Sequence, residues 1–173
     1  MVVVTKRQMS DSPQPIRVVL ADDHAVVRKG VREFLEMSGS IIVAAEAADG
    51  AEAMRLIREH QPDVAVLDIQ MPEQSGIEVT RAIRAERLPV GVLILTAFDD
   101  PPYVKAVLQA GANGYVLKTA DAQEIVDAVQ AVHEGQSVLD PAVTRKLMES
   151  LAEPRAAAPE SVVEPLTARE LEV

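Results

Sequence analysis

Five short apolar runs, each followed by a segment of helical periodicity, constrain this chain more than any other feature. The runs are "IRVVLAD" (16–22), "IIVAAEA" (41–47), 63–68, "VGVLILT" (90–96) and "GYVLK" (114–118). Apolar runs of this length suit strands buried on both faces of a parallel sheet. Between and after them, 25–39, 50–60, 75–86, 101–110 and 121–134 read as helices. Val27, Val31, Phe34 and Leu35 fall on one face of the first, and Gly39 is its stop. Asp49 is placed to cap the second, with Pro62 beyond its end, and Asp121 and Glu124 have capping-box spacing. Strands alternating with helices through short connections predict an α/β domain, a five-stranded parallel sheet with helices on both faces. Ligands of such sheets bind beyond the carboxyl ends of the strands, where strand order reverses.

The strand ends are polar in a coherent way. The first run ends in Asp22 and Asp23, the third in Asp68, the fourth in Thr96 and the fifth in Lys118. A lone charge at the end of a buried run is costly and needs a partner. Three carboxylates in one pocket repel each other, and a divalent cation relieves the repulsion. Hard oxygen donors favour Mg2+, which keeps several waters and accepts phosphate oxygens. An aspartate can itself be a nucleophile toward phosphorus, Lys118 can pair with a phosphate oxygen, and the Thr96 hydroxyl can donate to another. Phosphoryl transfer is the chemistry this set suggests.

Composition narrows the alternatives. The chain has 173 residues, of which 48% are hydrophobic, enough for one domain with a substantial core and some additional chain. There is no cysteine, so neither a disulfide framework nor a thiolate metal site is available, which suits a cytoplasmic protein. No apolar run approaches membrane length. The net charge of -10, from 17 basic and 27 acidic residues, works against nucleic-acid binding by this chain. Aromatic residues make up 2%, which works against base stacking or a flavin sandwich.

"VVLADDHAVVRKG", "VLDIQMPEQSG", "LILTAFDD" and "GANGYVLKTAD" together resemble the receiver domain of a bacterial two-component response regulator, most of all the NarL/FixJ type that carries a LuxR-like DNA-binding domain. The resemblance covers residues 16 to about 135. It implies a doubly wound, flavodoxin-like sheet in the order 2-1-3-4-5. Carried over by position, Asp68 is the expected phosphoacceptor, phosphorylated by a sensor histidine kinase. Asp22 and Asp23 are the expected Mg2+-holding pair, with Asp68 and the backbone carbonyl of Gln70 completing the metal site. Thr96 and Lys118 are expected to follow the phosphoryl group, and Tyr115 to be the aromatic switch residue that fills space when Thr96 moves. Met71, Pro72 and Gly76 match the turn after the acceptor. The implied protein is a switch with Mg2+-assisted self-phosphorylation and self-dephosphorylation, not an enzyme with turnover.

Residues 1–15 read as an N-terminal extension, 16–135 as the receiver and 136–165 as a helix plus a Pro/Ala-rich linker. Within 138–153, Val143, Leu147 and Leu151 share one helical face. Residues 166–173, "LTARELEV", have a capping-box start and resemble the opening of a LuxR-type helix-turn-helix domain without its recognition helix. DNA contact is therefore expected only through that missing domain. Val26, Val27 and Val31 on the first helix, with Val126, Val129 and Val132 on the last, read mostly as core, and spare apolar surface there is a candidate homodimer contact favoured on phosphorylation. His24 reads as a solvated or helix-capping residue, and His60 and His133 as helix-end residues. A flavodoxin-like redox carrier lacks the Ser/Thr-rich turn after the first strand, and a haloacid-dehalogenase-like phosphatase lacks its second aspartate, where Gln70 stands.

Overall fold

A computed structural model of the chain describes residues 13–152. The elements run β1 (Ile16–Ala21), α1 (Ala25–Met37), β2 (Ile41–Ala47), α2 (Gly50–His60), β3 (Val64–Leu67), α3 (Gly76–Ala85), β4 (Gly91–Thr96), α4 (Pro101–Ala110), β5 (Gly114–Leu117), α5 (Ala122–His133), β6 (Val138–Leu139) and α6 (Pro141–Ala152). The expected strands and helices all form, with ends within two residues of their predicted bounds. The sheet is parallel throughout, in the order β2-β1-β3-β4-β5-β6. The doubly wound order 2-1-3-4-5 stands, and a sixth, two-residue strand extends its edge.

Side chains of each strand alternate between two apolar layers. Val19, Ala65, Leu67, Ile94 and Tyr115 face α2, α3 and α4, meeting Met54, Ile57, Ile77, Ile83 and Val107. Val18, Leu20, Val64, Val66, Leu93 and Leu95 face α1 and α5, meeting Leu35, Ile125, Val129 and Val132. Burial on both faces explains why the strands read as unbroken apolar runs. Val31, Val126, Val129 and Val132 are core as expected, but Val26 is 86% exposed, because it lies one position off the buried stripe of α1.

The helices α2, α3 and α5 each start on a side-chain cap. Asp49, Ser75 and Asp121 accept from the backbone N–H of Glu52, Glu78 and Glu124 at 2.7, 3.1 and 2.8 Å. The chain leaves α2 through Gln61 in the left-handed region (φ 45°) and α4 through Gly111 (φ 102°), so each new strand starts back toward the sheet.

Within 138–153 the helix expected after Pro141 forms as α6, and ahead of it Val138 and Leu139 pair with Gly114 and Tyr115. Asp140 then makes the transition. Its N–H donates to the Tyr115 carbonyl at 2.9 Å, and its carboxylate accepts from Ala142 N–H at 2.9 Å in the first turn of α6. Val143 is fully buried in the layer that holds Tyr115, and Leu147 is half-buried, but Leu151 is 61% exposed: α6 runs off the edge of the domain before its third apolar position. The 154–165 linker and the 166–173 helix-turn-helix stub lie outside the described residues, as do residues 1–12. No helix among the described residues is long and apolar enough to cross a membrane.

Candidate phosphorylation site

The strand order reverses between β1, whose other neighbour is β2, and β3. The crevice beyond their carboxyl ends holds the predicted acidic residues. Asp22 follows β1 directly, Asp68 follows β3, and Lys118 reaches in from the end of β5. Asp22 and Asp68 are 3% and 5% exposed. The Lys118 Nζ donates to Asp22 Oδ2 at 2.8 Å and to Asp68 Oδ2 at 2.9 Å, bridging two carboxylates from different strands. The cost of burying two anions is met by one cation held between them.

The remaining carboxylate oxygens are also directed. Asp68 Oδ1 accepts from its neighbour Ile69 N–H at 2.8 Å, and Asp22 Oδ1 accepts from His24 N–H at 2.8 Å. Burial pushes the Asp68 carboxyl up from the ordinary aspartate range, against the opposing pull of Lys118. For Lys118 burial works against the ammonium, but its hydrogen bonds to Asp22 and Asp68 outweigh burial and raise its pKa. The ammonium is therefore fixed at neutral pH, while Asp68 is an anion held at a cost.

Asp23 is more exposed and lies on the open side. Ligand atoms of Asp22, Asp23, His24 and Asp68 all fall within 4.8 Å of one another. Hard carboxylate oxygens at this spacing suit a divalent cation of the Mg2+ type, so the donor set fits the metal the sequence implied. Gln70 is half-buried in the β3–α3 loop, two residues beyond Asp68. That loop is held from both ends. Gly76 N–H donates to the Ile69 carbonyl at 2.9 Å, and Gly50 N–H, at the start of α2, donates to the Pro72 carbonyl at 3.1 Å. A Cβ on Gly76 would lie 2.2 Å from the Asp68 carbonyl oxygen, and one on Gly50 would lie 1.9 Å from that of Gln74. Both positions exclude any side chain, and the first sets the backbone that carries Asp68. Met71 is buried beneath the same turn.

Thr96 ends β4 fully buried, and its Oγ1 accepts a long bond from Phe98 N–H at 3.4 Å. Tyr115 on β5 is also fully buried, pointing inward, with its hydroxyl donating to the Phe98 carbonyl. Burial, reinforced by the nearby Asp100 and Asp99, pushes its phenol far above its ordinary value, so it remains a neutral donor. The Phe98 ring stacks on Tyr103 with centroids 5.2 Å apart. Thr96 and Tyr115 therefore meet at one loop, 97–100. The sequence reading missed that loop's other anchor: Lys146 of α6 pairs with Asp99 at 2.7 Å. No local pattern connects residues so far apart in the chain.

His24 is solvated, as one of its two expected readings had it, with its side chain 70% exposed. It is the N-cap residue of α1, but its side chain makes no cap hydrogen bond. Its Nδ1 lies 3.0 Å from Asp23 Oδ1 and 3.5 Å from Asp22 Oδ1. His60 and His133 lie in the last turns of α2 and α5, as expected.

A doubly wound sheet with an acidic pocket and a bridging lysine at its switch point defines a flavodoxin-like receiver domain. Residues 18–130 match the response regulator receiver domain, and the chain belongs to that family. It is 44% identical over 161 residues to the protein of Mycobacterium tuberculosis (strain ATCC 25618 / H37Rv) named Probable transcriptional regulatory protein NarL, an alignment covering 93% of this chain and 73% of that one. The solved signal receiver domain of NarL from the same species superposes with a TM-score of 0.71 at 46% identity, covering 72% of this chain and all of that one. The isolated receiver domain of RcsB from Salmonella enterica serovar Typhimurium, solved in the presence of phosphomimetic BeF3-, gives a TM-score of 0.71 at 26% identity, covering 78% and 99%. These relatives put the receiver within the NarL/LuxR group of transcription-regulating response regulators.

Proposed function

We propose that Asp68 is the phosphoacceptor of this receiver and that Asp22, Asp23, Asp68 and the Gln70 carbonyl hold Mg2+ beside it. The observation that carries the reading is the bridging of Asp22 and Asp68 by Lys118 at the end of a buried strand. A bound Mg2+ supplies positive charge for the phosphoryl oxygens during transfer. The residues do the rest. One carboxylate oxygen of Asp68 attacks the phosphorus of a histidine-kinase phosphohistidine, forming the acyl phosphate as the P–N bond breaks and the imidazole leaves with the electron pair. Lys118 is already hydrogen-bonded to Asp68 and can pass to a phosphoryl oxygen without leaving the crevice. The Ile69 N–H steadies the second Asp68 oxygen. Self-dephosphorylation is attack by water on the same phosphorus, with access past Gln70 and Phe98.

The output is a change in the 97–100 loop. The Thr96 hydroxyl follows the phosphoryl oxygens, and Tyr115, bonded to the Phe98 carbonyl, moves with it or holds it. A ligand shifts such an equilibrium only by its different affinity for the two states. Self-association favoured by phosphorylation fits α1 and α5, where Val26 is exposed beside the apolar crevice of Val27, Phe34 and Ile125. DNA contact belongs to a helix-turn-helix domain of the LuxR type rather than to the acidic receiver. The test is intact-mass measurement after treatment with a small phosphodonor and Mg2+. One added phosphoryl group is expected, lost with EDTA and in Asp68→Asn. Undiminished gain in Asp68→Asn refutes the assignment.

A further inference from the structure

Apart from the carboxylates and Lys118, the metal-ligating side chain that reaches this crevice among the described residues is His24. Its Nδ1 contacts to Asp23 and Asp22, at 3.0 and 3.5 Å, draw the ring toward the pair. Its side chain is 70% exposed and free to turn to water, and it leaves its capping position unused. It points instead at the acidic pair. An octahedral ion with donors at about 2.1 Å spaces adjacent donors at about 3.0 Å and opposite ones at about 4.2 Å. The Nδ1 distance to Asp23, 3.0 Å, matches the adjacent spacing, and that to Asp22, 3.5 Å, falls between the adjacent and opposite spacings. The 4.8 Å outer limit of the group closes to the opposite spacing with a shift of a few tenths of an ångström per residue.

Resting on the reading of this crevice as the cation site, we propose that His24 is a nitrogen donor to that cation, so that the site prefers transition ions of the Mn2+, Co2+ and Ni2+ class over Mg2+. Mg2+ gains little from an imidazole, because it prefers hard oxygen and holds its waters tightly. Imidazole suits the later first-row divalent ions, whose affinity for such mixed N/O sites rises from Mn2+ through Ni2+. The bonding of His24 N–H to Asp22 fixes the backbone next to the pair and keeps Nδ1 close to the carboxylates. The preference is thus built from the adjacent residues Asp22, Asp23 and His24 together with Asp68 at the end of β3.

The test compares the whole chain with its His24→Ala variant by direct titration with MgCl2, CoCl2 and NiCl2, and by pulsed electron paramagnetic resonance of bound Mn2+. The variant removes an exposed side chain whose contacts are with Asp22 and Asp23, and its melting curve without metal checks that it folds. The parent is expected to bind Ni2+ and Co2+ more tightly than Mg2+. The variant is expected to lose about tenfold in Ni2+ affinity and less than twofold in Mg2+ affinity, since a water replaces the imidazole. Nitrogen modulation of the Mn2+ signal is expected in the parent and not in the variant. Equal Ni2+ affinities, or a nitrogen signal unchanged by the substitution, overturn the His24 assignment and leave the Asp68 reading intact. Failure of the parent to bind any of the three ions overturns both.

Discussion

Replacing Lys118 by methionine isolates the electrostatics of the crevice, because the apolar stem is kept and the ammonium is lost. Two contacts go, 2.8 Å to Asp22 and 2.9 Å to Asp68, leaving two nearly buried carboxylates facing each other. Removing one partner of a buried ion pair costs about 3–5 kcal/mol. The side chain of Lys118 is 18% exposed and water reaches the crevice from the Asp23 side, so about 2–3 kcal/mol is the expected loss here. For a domain of this size that lowers Tm by about 4–12 °C. The loss should depend on metal. Mg2+ at ten times its dissociation constant stabilises a protein by about 1.4 kcal/mol. It should do more for the variant, whose carboxylates no longer share charge with an ammonium. The assay is thermal unfolding of parent and Lys118→Met in EDTA and across a Mg2+ series. The variant is expected to melt well below the parent in EDTA and to recover most of the gap as Mg2+ rises. A variant that melts with the parent in EDTA, or a Mg2+ increment equal in both proteins, refutes the claim that one cation offsets this carboxylate pair.

Asp68→Asn should flatten the dependence of stability on pH. Because the folded pKa of Asp68 is raised, its contribution is fully present below the unfolded pKa and is lost as pH climbs through the folded value; denaturant melts from pH 3 to 7 should show the variant losing less over that span. Tyr115→Phe removes the bond to the Phe98 carbonyl while keeping the buried ring, and should cost about 1 kcal/mol in urea unfolding, whereas Tyr115→Ala should cost about 3–5 kcal/mol. Thr96→Ala should leave the phosphodonor mass gain in place while abolishing any phosphorylation-dependent change in sedimentation; loss of the mass gain itself counts against a switch-only role. Val143→Ala should weaken the docking of α6 by about 2 kcal/mol and speed amide exchange across 141–152 before the rest of the domain, a result that uniform exchange contradicts.

The sequence alone determined the alternation of elements, because strands buried on both faces must be continuously apolar and their covering helices must carry one apolar stripe. It also placed Asp22, Asp23, Asp68, Thr96 and Lys118 at strand ends: strands often turn polar where they surface, but this set in this order suits one site. Ser75, which the sequence reading did not single out, emerges as a further cap only from its bond to Glu78 N–H. Other features depended on contacts between distant segments. Val138 and Leu139 are too few to show a period, and they become a strand because β5 offers an unpaired edge. Leu151 carries the same pattern as Val143 yet stays in water, because the domain ends beneath it. Val26 is apolar but sits off the stripe that meets α5. The pairing of Lys146 with Asp99, and of the Tyr115 hydroxyl with the Phe98 carbonyl, joins segments whose meeting depends on how α6 and β5 pack. His24 makes the same point within the site: a residue type next to an acidic pair leaves its direction open, and the backbone turn from β1 into α1 aims its ring at the carboxylates.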